Sequence, residues 1–285
     1  MSMRSCTNPV FLKRCPFQVL ALLVGAALCV ASPSMFAENK PVYVLGVFPH
    51  LPPRDLEKVF APMAADLGKA LGGMVELRTS TTYEKFSSNL DTGKYDIAFV
   101  QPFDYIRIAK QQGYELLATR TEKLAVIVVT HNDSPLNSLA DLKNKKVALP
   151  PKTSAVSHLL RGHLIANGMR PGKDIQLVHQ RSHVSCMQQV LIGEVVACGT
   201  AAPARRFFQG KFNVQMKIIA SSQEIPHTPW VAHPRVPKEH RQLLRQRILD
   251  WANTRDGQLL LARGKLTPFV AAKDADYDIV RKMAK

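Results

Sequence analysis

Short, nearly unbroken apolar runs alternate along this chain with longer stretches in which apolar residues recur every three or four positions. Val42 to Phe48 (VYVLGVF) has the continuous apolar character of a strand covered on both faces. Pro49 to Pro53 breaks that run. Leu56, Val59, Phe60, Met63 and Leu67 then predict a helix over about Asp55 to Leu71, stopped by Gly72-Gly73. Met74 to Arg78 is a second strand. Thr81 and Thr82 are cap candidates for a helix carrying Tyr83, Phe86 and Leu90, which Gly93 closes. Tyr95 to Val100 is a third strand, delivering Gln101 to Asp104 to a helix that ends near Gly113. This order predicts an α/β layer with a largely parallel sheet.

A second series follows. Leu124 to Thr130 (LAVIVVT) is the most β-branched run, and His131 to Pro135 ends it. Leu139 to Leu142 suggests a short helix, and Val147 to Leu149 a strand. A proline-stiffened turn then leads to Thr153-Ser154 and an amphipathic helix ending at Gly168. Ile175 to His179 and Val195 to Cys198 are strands around a helix over Val184 to Ile192. Pro203 to Gln209 is a short helix and Met216 to Ala220 a strand. The pattern of the first half is thus repeated. From Pro237 onward no strand signal remains: Leu243, Leu244, Ile248 and Trp251 form one helical stripe, and two shorter helical segments follow.

The first residues belong outside this scheme. Arg4, Lys13 and Arg14 precede an apolar run from Val19 to Ala31, and Ala37 offers a cleavage point, the pattern of a secretory signal peptide over residues 1–37. The run is short for a membrane span, and the leucine before Cys29 makes a poor lipoprotein signal. A soluble, exported, monomeric protein is expected. The formal net charge of +16 favours anionic partners, and the basic residues are spread along the chain and not gathered in a tail. Export argues against nucleic acid and leaves a small anion as the first expectation. Cys186 and Cys198 are the cysteines outside the leader, and a helix start and a strand end at one sheet edge favour a disulfide between them over a metal pair.

In open α/β sheets ligands sit beyond the C-terminal ends of the strands. Four loops there carry polar or aromatic residues: Pro49-His50, Gln101 to Tyr105, Lys152 to Ser157 and Arg181 to Ser185. At Thr153, Ser154 and Ser157, hydroxyls stand at a helix N-terminus, where free amides and the helix dipole favour an anion. Plain helix capping explains the same hydroxyls. His183 has two readings of equal weight, a donor to an oxyanion and a surface cap. Tyr83 and Tyr105 are possible phenolic donors, with packing as the simpler account, and Lys152 reads as a solvated charge. His227 and Trp230 belong to a segment crossing between lobes. No nucleophile elbow, phosphate loop, HExxH or dinucleotide fingerprint occurs, and carboxylates are scarce in these loops, so neither an enzyme nor a cofactor is expected.

The segments YDIAFVQPFDY (Tyr95 to Tyr105), NDSPLNSLADLKNKKVALPPKTSAVSHLL (Asn132 to Leu160), RSHVSCMQQVLIGEVVAC (Arg181 to Cys198) and EIPHTP (Glu224 to Pro229) occur in the order and spacing of the PhnD-like substrate-binding proteins, which this chain resembles. These are periplasmic components of phosphonate, phosphite and phosphate ABC importers. The resemblance implies the type II periplasmic-binding-protein fold, two α/β lobes with a ligand cleft between them. Residues 38–129 would begin lobe 1, 130–221 form lobe 2, and 222–285 supply the second crossover and helices returning to lobe 1. It implies that Thr153 and Ser154 match the family's oxyanion-holding Ser-Thr pair and His183 its oxyanion histidine. Gln101, Ser157, Tyr83, Pro49, His50 and Phe103 complete the expected ligand set.

The chain departs from the family pattern at Ala155, where a further hydroxyl is common, at Val184, where an acid is common, and at Val100-Gln101, where an aromatic residue often stands. Gly199 to Ala204 offers no acid for the amino group of an aminophosphonate. The expected function is therefore capture of a small oxyanion for an ABC transporter permease. The alternatives are a sensor docking on a membrane histidine kinase or cyclase, and an exported enzyme on the same fold.

Overall fold

A computed structural model describes residues 40–284. The expected leader, residues 1–37, lies outside the described residues. The strands are β1 (Val42–Val47), β2 (Met74–Thr79), β3 (Ile97–Phe99), β4 (Glu115–Arg120), β5 (Lys123–Leu124), β6 (Ile127–His131), β7 (Lys146–Leu149), β8 (Gln176–His179), β9 (Ala197–Thr200), β10 (Met216–Ser221), β11 (Ile225–Pro226), β12 (Pro229–Ala232) and β13 (Phe269–Val270). The helices are α1 (Pro53–Ala70), α2 (Tyr83–Asp91), α3 (Pro102–Gln112), α4 (Ala155–Ala166), α5 (His183–Leu191), α6 (Ala202–Phe212), α7 (Lys238–Asp250), α8 (Arg255–Gly264) and α9 (Asp278–Met283).

Two mixed sheets organise two α/β lobes. The first has the order β13-β4-β12-β3-β1-β2, the second β10-β6-β9-β7-β8. Strands β1, β2 and β3 are mutually parallel, as are β7, β8 and β9, while β12, β13, β6 and β10 enter antiparallel. The period-two geometry of the strands sorts side chains between layers. Val147 and Leu149 join the core under α4, whereas Ala148, between them, joins the core under α5 and α6.

Four expectations are corrected. Strand β4 was not expected, because ELLATR follows a helix stop without a turn and carries a glutamate and an arginine at its ends; it is nonetheless central, its apolar residues buried by pairing with β12 and β13. The run from Leu124 to Thr130 is two strands, not one. The tail contains a strand after all: β13 is only two residues long, too short to show a period, and Phe269 is buried there beside Trp230 and Trp251. Leu243, expected in the buried stripe of α7, is exposed, while Leu244 and Ile248 of α7 and the following Trp251 are buried.

The chain passes between the sheets twice, through β5 and β11, which pair with each other over two residues each. Beside this crossover the Tyr277 hydroxyl donates to His227 O (2.8 Å) and lies 2.8 Å from Thr119 Oγ1. The tail is fastened to the first lobe by Asp66 of α1, which accepts two bonds from Arg247 (2.8 and 2.5 Å) and one from Trp251 Nε1 (2.8 Å).

Candidate functional site

The polar loops meet where the C-terminal edges of the two sheets face each other. From the first lobe come His50 after β1, Gln101 after β3, Arg120 at the end of β4, and His227-Thr228 just ahead of the antiparallel β12. From the second come Thr153 and Ser154 after β7, His183 after β8 and Thr200 at the end of β9.

Helix α4 starts on a cap. Ser154 Oγ accepts from Ser157 N (3.2 Å) and donates to Ser157 Oγ (3.0 Å), which in turn donates to Pro150 O (3.2 Å). The two serine hydroxyl protons are thereby directed along the helix start. The first amide of the helix is satisfied from the other lobe, for Gln101 Oε1 accepts from Ala155 N at 2.8 Å. The Gln101 amide group donates to Asp104 Oδ2 (3.3 Å) and reaches Thr153 O at 3.4 Å. Only 5% of Gln101 is exposed. An oxygen thus sits where the helix dipole and a free N–H most favour negative charge. Thr153 Oγ1 is more loosely held, 3.4 Å from Glu84 Oε1 of the first lobe.

His183 opens α5 one residue after the Ser182 cap, which is locked by a capping box with Ser185. Its Nδ1 lies 2.8 Å from the hydroxyl of Thr200, a fully buried residue, so its Nε2 is left for another partner. Burial, and then the nearby His50, push the His183 pKa down to about 4, so the ring is neutral at neutral pH. His50 is likewise pushed down to about 4, by burial and by Arg120, against a bond to the Phe48 carbonyl. His227 is held well below the histidine range by burial, Arg120 and His50. Arg120 pairs with Glu122 at 2.7 Å. Burial pushes the carboxyl of Asp104 up to about 6, although Ser87 and Gln101 bond it, and Arg107 Nη2 donates to it at 2.8 Å.

The structure therefore brings Gln101 against Thr153–Ala155, and His50 within electrostatic range of His183. Phe103 is placed elsewhere, stacked on His158 with ring centroids 4.9 Å apart at the outer border between the lobes. Tyr83 is buried with its ring 6.2 Å from Phe48, its hydroxyl pKa raised by burial and by the charges of Asp104 and Glu84. Pro49 is half-buried in the turn before His50. Tyr105 faces away, donating to Asp274 at 2.6 Å.

Thr200, Arg120 and Thr228 were not among the expected residues. Thr200 ends a strand at the ligand edge, a signal the loop rule could have used; Arg120 was hidden with its strand.

The disulfide between Cys186 and Cys198 is present, its Cα atoms 5.7 Å apart, and it staples the helix of His183 to the strand of Thr200. A groove of about 1290 Å³ runs along the outer side of α3 and reaches Thr153 and His158 at the border between the lobes. Its charged groups are largely paired with one another: Arg107 with Asp91 and Asp104, and Arg281 with Asp274.

Solved structures of similar fold include the binding protein component of an ABC phosphonate transporter from Pseudomonas aeruginosa (18% identity, TM-score 0.74, covering 86% of each chain). PhnD1 from Prochlorococcus marinus in complex with methylphosphonate is similar at 18% identity and TM-score 0.75, over 85% of this chain and 97% of that one. The periplasmic aliphatic sulphonate binding protein of Escherichia coli is similar at 15% identity and TM-score 0.63, over 85% and 90%. At such identities these matches speak for the two-lobed fold. The family described as ABC transporter, phosphonate, periplasmic substrate-binding protein matches residues 45–277. With the two lobes, the facing strand edges and a match over most of its length, the chain belongs to the family of periplasmic substrate-binding proteins of phosphonate ABC transporters.

Proposed function

We propose that the facing edges close on a small phosphorus oxyanion, of the phosphonate, phosphite or phosphate class, and present the closed form to an ABC transporter permease. The observation that carries this reading is the Gln101 oxygen on Ala155 N, an acceptor from one lobe held at the helix start of the other. An oxyanion oxygen is a stronger acceptor for the same amide. Thr153 turns from its loose contact with Glu84 to donate, His183 Nε2 faces the anion from α5, and the amide group of Gln101 is freed to donate as well. Ser154 and Ser157 shape the helix start; Tyr83, Pro49 and Phe103 border the closure. Methylphosphonate in the Prochlorococcus marinus relative supports the ligand class.

Among the described residues, Glu122 at these edges pairs with Arg120 and Asp104 is bonded by Arg107, Gln101 and Ser87, while Glu84 beside Thr153 is exposed, where a pair with an ammonium group is worth little. Aminophosphonates are therefore poor ligands. We place the protein in the periplasm, exported by residues 1–37 and working there as a monomer whose role is binding and not turnover.

Thermal unfolding of the mature chain with methylphosphonate, phosphite, phosphate, 2-aminoethylphosphonate, sulfate and methanesulfonate tests this. A ligand at 100 times its Kd stabilises by about 2.7 kcal/mol. Methylphosphonate or an inorganic phosphorus oxyanion is expected to raise the midpoint, and the amine not. No rise with any phosphorus oxyanion would refute the reading.

A further inference from the structure

The ring of His50 is fixed in place and in tautomer. Its Nδ1 lies 2.9 Å from the carbonyl oxygen of Phe48, and a carbonyl only accepts, so Nδ1 carries the ring proton. The imidazole stacks on Phe48 with centroids 4.4 Å apart and meets Phe60 and Phe99 edge-on at 5.9 and 6.5 Å. This aromatic seat and the nearby Arg120 keep it neutral. In a neutral ring protonated at Nδ1, Nε2 is a lone-pair acceptor, and among the described residues nothing donates to it.

Its surroundings are of the opposite kind. The ionisable groups near it are Arg120 of β4, His183 of α5 and His227 ahead of β12. His227 Nδ1 accepts from Thr228 N at 2.7 Å, so the proton of this neutral ring is on Nε2. That Nε2–H faces Arg120 Nη1 at 3.4 Å, two donors with no acceptor between them. Arg120 uses its Nη2 on Glu122. His50 Nε2 is therefore an unpaired acceptor in the neighbourhood of a guanidinium that only donates.

We propose that His50 Nε2 is a specificity-determining acceptor, taking a hydrogen bond from a protonated oxygen of the bound anion and so selecting hydrogen-phosphonate monoanions over sulfonates of the same shape. The inference rests on the oxyanion reading above and sharpens it. A phosphonate keeps one oxygen protonated near neutral pH; a sulfonate has no such proton. Against a sulfonate, two acceptors face each other, and a buried polar group left unpaired in that way is a strong basis for discrimination. Aromatic seating makes the device work, because a histidine free to protonate would become a donor and accept both anions.

Calorimetric titration of the mature protein with methylphosphonate and methanesulfonate at pH 7 tests it, in the wild type, His50→Gln and His50→Phe. The wild type is expected to prefer methylphosphonate, His50→Phe, which keeps the aromatic packing but has no acceptor, to lose at least about tenfold of that preference, and His50→Gln, whose Oε1 can accept, to lose less than Phe. A Phe variant that binds methylphosphonate with the wild-type preference intact would overturn the assignment of His50 and leave the oxyanion reading standing. A wild type that binds neither this phosphonate nor phosphite or phosphate would refute the oxyanion reading itself. Nitrogen NMR of His50 in the complex adds an independent outcome. One ring N–H, on Nδ1, is expected; two would show an imidazolium donor and sink the proposal.

Discussion

Replacing Gln101 by alanine removes the side chain that ties the end of β3 in one lobe to the start of α4 in the other. The bond at stake is Ala155 N to Gln101 Oε1 at 2.8 Å; the 3.4 Å reach to Thr153 O is too long to add much. In an opened molecule water satisfies the same amide, so the relevant figure is the net worth of one hydrogen bond, about 0.5–1.5 kcal/mol. That corresponds to a change of about two- to tenfold in the ratio of closed to open unliganded protein. Two-colour energy transfer between dyes on the lobes, or the radius of gyration from solution scattering without ligand, measures it. Gln101→Ala is expected to open the unliganded protein, with saturating methylphosphonate restoring the compact form. Glu84→Ala, which loses only a 3.4 Å contact to the half-buried Thr153, is expected to change the ratio by less than about twofold. If Gln101→Ala left the ratio unchanged, or matched Glu84→Ala, the carboxamide would be an ornament of the closed form and not its fastening.

Thr153→Ala should weaken methylphosphonate binding while leaving the unliganded thermal midpoint in place. Ser154→Ala removes a helix cap and should lower stability by about 1 kcal/mol, so a pair of variants separates donor from cap. Reducing Cys186–Cys198, which closes a short loop, is expected to lower stability by about 2–4 kcal/mol. It should also weaken ligand binding, because the bridge holds His183 against Thr200; full affinity in the reduced protein would show that α5 needs no staple. For pH, three histidines with lowered folded-state values, His50 and His183 at about 4 and His227 well below 6.5, are neutral when folded and ordinary when unfolded. These rings make the unfolded chain bind more protons than the folded one as pH falls from about 6.5 toward 4, and Asp104, raised to about 6 in the fold, offsets only part of this, so stability declines across that window. Denaturant titrations at several pH values should show it, and His183→Asn should shallow the slope; a flat profile would mean the rings are solvated.

Most of the architecture was legible because apolar periodicity is strong wherever a strand is covered on both faces or a helix on one. VYVLGVF and the 56-59-60-63-67 stripe leave little choice. What escaped was short or compositionally ordinary. Strand β13 is two residues long, and β4 reads as ELLATR, whose burial comes from neighbours contributed by the far end of the chain. The candidate site was legible in part for the same reason. Gln101, Thr153, Ser154 and His183 follow recognisable strands, so the rule about strand ends found them. Arg120 vanished with its strand. The tautomer of His50 depends on a carbonyl two residues back, and its neutrality on a seat formed by Phe48, Phe60 and Phe99, which no residue pattern encodes. Phe103 and Tyr83 were expected from position alone, and packing sent one to His158 and the other under Phe48.

The place of β12 in the first sheet bears on how the molecule is made. This four-residue strand lies between β4 and β3, so the strands of the first third of the chain do not form one continuous sheet until Pro229–Ala232 arrives. Trp230, fully buried, then gathers Phe60, Phe99, Trp251 and Phe269 around it. A ribosome or a secretion channel that has released only the first two hundred residues has released no finished first lobe. Completion of that sheet waits for the C-terminal quarter of the chain.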